Sequence, residues 1–147
     1  MEHRMQVKPL PIWFWIAAVL GLAWNVFGVV QYIGSVRATA DSLVASGMTP
    51  EQAAVMLGYP AWMTAAFAIG VFGGVLGCAL LLARKRVSVM VFALSLLAYV
   101  ALFIGDWVEG VFAAMGSAQV IVLSMVVLIA AALFALARHF AARQALI

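Results

Sequence analysis

Four stretches of about twenty apolar residues, separated by short polar punctuation, limit this chain more than any other feature. A bilayer core ~30 Å thick is crossed by ~20 apolar residues in a helix. The runs lie at about 10–36, 61–83, 87–105 and 117–137. The chain has 147 residues, 68% hydrophobic and 9% charged, against about half and a quarter in soluble domains. Folded in water it would expose large apolar patches, so lipid is part of its solvent. The length suits one domain spanning 1–147. The expected fold is an all-α integral membrane protein, a four-transmembrane-helix bundle.

Seven of the eight basic residues form three groups at the ends of the runs, and only Arg37 falls outside them. Arg4 and Lys8 precede the first, Arg84, Lys85 and Arg86 separate the second from the third, and Arg138 and Arg143 follow the last. Basic flanks favour the cytoplasmic side, so the pattern predicts both termini inside. Asp41, Glu51, Asp106 and Glu109 then fall outside. A nucleic-acid partner needs a continuous basic surface, and these residues are punctuation instead; membrane lipid is the expected surrounding. "ATA" at Ala38–Ala40 resembles a signal-peptidase site. The preceding apolar run is too long for a signal peptide, which predicts an uncleaved span.

The loop 37–60 is punctuated like a small water-facing helix. Thr49 can cap, Pro50 suits the first helical position and Gln52 completes a capping box, with Gly58 as the stop. Ala53, Met56 and Leu57 share one face. The expectation is a pair of short amphipathic helices across the outer end of the bundle, apolar side down. They would rest on headgroups or cover a cavity.

Within the spans the small and polar residues fall into stripes. Ala66, Gly70, Gly73 and Gly77 lie within ~60° on the second span, with Gly74 beside them. Small residues in register let backbones approach closely, within the bundle, between copies of the chain or against a larger membrane complex. On the third span Ser88, Ser95, Tyr99 and Asp106 lie within ~40°. Asp106 stands ~30 Å above Arg86, which predicts a wet carboxylate at the outer surface. On the first span Asn25 shares a face with Gly21, Gly28 and Tyr32, while Trp24 and Gln31 lie on the adjacent one. An amide in hydrocarbon must find a partner: it glues helices together or binds a ligand. If Trp24, Asn25, Gln31, Tyr32, Tyr99 and Asp106 converge, they line a pocket in the outer half of the bundle beneath the loop. Gln119 belongs to the same depth.

The missing residue types narrow the function. No Asp, Glu, Lys or Arg falls in the middle of a run, whereas ion-coupled pumps carry one there. His3 and His139 both lie at the inner surface, against a bis-histidine haem. One cysteine, Cys78, excludes thiol–disulfide relay chemistry. The sequence contains no metal-ligand cluster, phosphate loop or nucleophile–base pair. No cofactor, metal or catalytic residue is expected, and an enzyme is not.

"WN" at 24–25, "MTPEQ" at 48–52, "PAW" at 60–62 and "GVFGGVLGCALLLARKR" at 70–86 resemble a group of small bacterial four-span proteins. These are mostly uncharacterised and sometimes carry an automatic "sugar transporter" label. The resemblance implies the four-span architecture and the bacterial inner membrane. It transfers no residue roles, and the Pro-Gln motif of small bacterial sugar carriers is missing here. The functional expectation is binding or facilitated passage of a small neutral polar or amphipathic molecule, with passage requiring a homo-oligomer. The alternative is an accessory or scaffold subunit that docks on a larger complex through the glycine face of the second span.

Overall fold

The computed structural model describes residues 9–147. Arg4 and Lys8 of the basic flank, and His3, lie outside the described residues. Among those described, all regular structure is helical: α1 (Ile12–Arg37), α2 (Ala40–Ala45), α3 (Pro50–Leu57), α4 (Ala61–Leu82), α5 (Ser88–Val108), α6 (Val111–Met115) and α7 (Ser117–Ala142). Four of them, α1, α4, α5 and α7, are long and apolar enough to cross a membrane. The chain is a multi-pass helical membrane protein.

Prolines set two of the starts. Pro11 and Pro60 occupy the N-cap positions of α1 and α4, where a missing N–H costs nothing. The 26 residues of α1 make a helix about 39 Å long. α5 runs three residues past the end read from hydropathy, so Asp106 is helical. Around the bundle the order is α1, α4, α5, α7, with α4 against α5 as the most extensive contact. α1 and α7 close the ring over a smaller contact than the other three neighbouring pairs make.

The α4–α5 contact is built on the small-residue stripe. A methyl on Gly70 would stand 2.6 Å from the Tyr99 ring, one on Gly77 2.7 Å from Phe92 and one on Gly73 3.3 Å from Ser95 Cβ. The Ser95 hydroxyl donates to the Gly70 carbonyl at 2.7 Å, a polar tie of the kind that holds helices together in lipid. Gly74, beside the stripe, faces Asn25 of α1. Ala66 is buried with Met63, Leu102 and Leu123. The glycine face is therefore occupied by the chain's own α1 and α5. Of the uses open to such a stripe, packing within the bundle is the one these contacts display.

The two ends differ in construction. At the basic end, α4 and α7 both finish on a non-glycine residue in the left-handed region, Arg84 (φ 58°) and Gln144 (φ 59°). Lys85 N donates to Leu80 O at 2.8 Å and Ala145 N to Phe140 O at 3.0 Å, the six-to-one bond of a Schellman closure in each case. Residues 145–147 then fold back on the 84–86 turn. Arg86 N donates to Ile147 O (2.7 Å), and Ile147 N to Arg84 O (2.6 Å). Ala145 and Leu146 are buried with Phe14, Leu81 and Phe140.

At the loop end, α2 and α3 are each closed by a capping box, Thr39 with Ser42 and Thr49 with Gln52. Of the expected apolar face of α3 only Ala53 is buried, and Leu57 is 46% exposed. Gln52 Nε2 reaches across to donate to Ala114 O at 3.2 Å. That bond ties α3 to α6.

Candidate functional site

The six residues expected to line one pocket are divided among different places. Trp24 and Asn25 of α1 and Tyr99 of α5 meet around a crevice in the middle of the bundle, together with Gly74, Ser95 and Ala130. Tyr32 stays outside it and packs edge-on against Phe67 (5.5 Å) and Phe72 (5.7 Å). Gln31 is exposed on α1 and joins neither group. Asp106 belongs to a second cluster at the loop end.

The crevice lies between α1 and α7, with α4 and α5 as its floor. Leu133 of α7 closes onto Gly21 below, and Trp13 and Phe14 pack on Phe140 at 5.2 and 4.8 Å lower still. The two helices thus meet towards the basic end and part above it. Asn25 is buried because α1 turns Phe14, Ala18, Gly21 and Asn25 inward together. Its Nδ2 donates to Gly21 O at 2.8 Å and weakly to Cys78 Sγ at 3.8 Å. Oδ1 rests against Gly74 and accepts no hydrogen bond from the described residues. The Tyr99 hydroxyl makes none either. Neither atom is sealed from the surface, since Ser88 Oγ is the one fully buried polar side-chain atom without a partner among the described residues. No charged group lines the crevice, and it holds no space for a water molecule.

Asp106 is not wet. It is 0% exposed, which corrects the expectation of a carboxylate at the outer surface. Asp106 stands near the loop end of α5, and there the chain itself covers it. Tyr59, in the α3–α4 connection, donates its hydroxyl to Oδ1. Gln119 of α7 donates Nε2 to Oδ2 at 3.0 Å. Both carboxylate oxygens are thereby satisfied, and no basic side chain pairs with them among the described residues. Burial pushes the Tyr59 phenol well above its usual range, and the hydrogen bond to the Asp106 charge adds to the effect. The phenol stays neutral and remains a donor.

Tyr59 carried no functional reading in the sequence. A signal for it exists in the α4–α5 hairpin, whose register pairs Gly77 with Phe92, Gly73 with Ser95 and Gly70 with Tyr99. Continued to the loop end, that register sets Trp62 against Gly105. Asp106 is then level with the residues that open α4. The loop helices do not cover the crevice; a separate shallow recess between α2 and α3 is lined by Ala40, Asp41, Val44, Ala45, Pro50 and Ala53. Among the described residues no group of His, Cys, Asp and Glu could hold a metal ion.

No family model, no curated protein and no solved structure matches this chain.

Proposed function

We propose that this is a bacterial inner-membrane protein, with both termini cytoplasmic and the α2–α3 loop outside, that binds a neutral amphipathic molecule. The molecule enters sideways from the lipid, between α1 and α7. One observation carries the reading: Asn25 Oδ1 and the Tyr99 hydroxyl, two polar atoms without a partner among the described residues, belong to side chains that line the same crevice in the middle of the bundle. Polar capacity left unspent in hydrocarbon is costly, and an incoming hydroxyl or carbonyl would use it. The uncharged lining selects a ligand with no charge at that depth. Trp24 at the mouth offers an amphipathic ring for the ligand body. The crevice is too tight for water, so entry requires α1 and α7 to separate, and their contact is smaller than that of α1 with α4, α4 with α5 or α5 with α7. Facilitated passage is the stronger form of this proposal and needs a path continuing to both surfaces.

The test is native mass spectrometry after extraction of the full chain with its surrounding lipid in a polymer disc. A retained neutral molecule is expected. Ala130→Phe, which fills the crevice, should remove it, whereas Ala132→Phe on the exposed side of α7 should not. Retention that survives Ala130→Phe, or no retained molecule in the unsubstituted protein, overturns the reading.

A further inference from the structure

We propose that the basic end of the bundle is a docking surface for the headgroups of anionic phospholipids. Four cationic side chains from two distant parts of the sequence gather there. Lys85 and Arg86 come from the α4–α5 turn, and Arg138 and Arg143 from the last turns of α7 and its cap; all four are exposed. The backbone pairing of Arg84 and Arg86 with Ile147 holds the two segments together. Arg84 braces them from within, donating Nε and Nη2 to the Ala145 carbonyl at 3.2 and 3.0 Å. With Ala145 and Leu146 locked into the core, the charges stand on a fixed platform rather than on a loose tail.

None of these four side chains is neutralised within the chain. Among the described residues no carboxylate pairs with Lys85, Arg86, Arg138 or Arg143. The described acids, Asp41, Glu51, Asp106 and Glu109, all belong to the loop segments or the loop end of α5. Trp13, half-exposed and packed at a tilt on Phe140, marks the same level as an interfacial one, since tryptophan favours headgroup depth. A surface at that depth meets lipid headgroups before any soluble anion. Charge complementarity therefore selects the acidic phospholipids, each Lys or Arg near the membrane surface strengthening the attraction about fivefold.

The experiment compares phosphatidylglycerol with phosphatidylcholine, both carried on the full-length protein into native mass spectrometry from mixed-lipid discs. The expected result is preferential retention of phosphatidylglycerol. It should be lost in the combined variant Lys85→Gln, Arg86→Gln, Arg138→Gln, Arg143→Gln and kept in Arg37→Gln, which removes a charge from the opposite end. Equal retention of the two lipids by the unsubstituted protein, or an unchanged preference in the fourfold variant, overturns the proposal. Inorganic phosphate that displaces phosphatidylglycerol at millimolar concentration would assign the surface to soluble anions instead and also overturn it. Should the fourfold variant fail to fold, salt decides with the unsubstituted protein. The preference should fall steeply as ionic strength rises, and a salt-insensitive preference refutes an electrostatic origin.

Discussion

The two ends of this bundle are closed by opposite means. The loop end is held by side chains: Tyr59 and Gln119 converge on the buried Asp106 carboxylate, and Gln52 reaches the Ala114 carbonyl. The basic end is held mostly by backbone and apolar packing, through two Schellman closures, the 145–147 fold-back and the Phe14–Phe140 contact, with Arg84 as a side-chain brace. The lesson concerns where the charge goes. At the loop end an acid is buried and becomes the organising centre. At the basic end the polar work is done mainly by the backbone, which leaves four cations pointing outward. A closure built on one charged acceptor should fail all at once. A closure built on distributed contacts should weaken in steps.

The largest expected effect tests that contrast directly. Asp106→Ala leaves the Tyr59 hydroxyl and the Gln119 amide without their acceptor. Losing hydrogen bonds to a charged group should cost about 3 kcal/mol, offset in part by removal of a buried charge. Limited proteolysis should show faster cutting within 38–60 and no change around 143–147. Uniform destabilisation of both ends would break the comparison. Leu146→Ala is the counterpart at the basic end. Truncating this buried leucine should cost about 2 kcal/mol, with cutting enhanced near the tail and the loop protected as before.

The next effect depends on pH. The folded state raises the Tyr59 pKa above its unfolded value, so the stability tied to this phenol is fully present below about pH 10. It is lost as pH climbs from there through the folded pKa. Tyr59→Phe should cost about 1 kcal/mol at neutral pH. The gap between the two proteins should narrow above pH ~10, as measured by thermal unfolding in the same discs. A gap constant with pH would show that the Tyr59 hydroxyl is not the buried donor described. The smallest effect sharpens the view of the basic end. Gln144 pays for a left-handed backbone that glycine adopts freely. Gln144→Gly should stabilise the tail by about 0.5 kcal/mol, seen as slower exchange of the Ala145 and Ile147 amides.

Much of the local structure was legible because its causes are local. Thr49, Pro50 and Gln52 state a helix start within four residues, and the chain builds that capping box. Ser88, Ser95, Tyr99 and Asp106 share a face of α5, and all four are buried. The candidate site was legible only in part. A helical wheel tells which residues of one span look the same way but not what stands opposite. Trp24, Asn25 and Tyr99 reach one crevice because α4 lets α1 and α5 approach at its glycines. Tyr32 was intercepted by Phe67 and Phe72, and Gln31 turned outward.

By itself the sequence determined the solvent, the number of crossings and the charge at each turn, since apolar run length and basic flanks act through composition alone. The tertiary structure decided the environment of the polar groups. Asp106 lies at the height that helical rise assigns to it. It is dry because Tyr59, 47 residues earlier, and Gln119, 13 residues later, are brought over it by the packing of other helices. Burial is a property of what surrounds a residue in space, and in this bundle those surroundings come from distant parts of the chain.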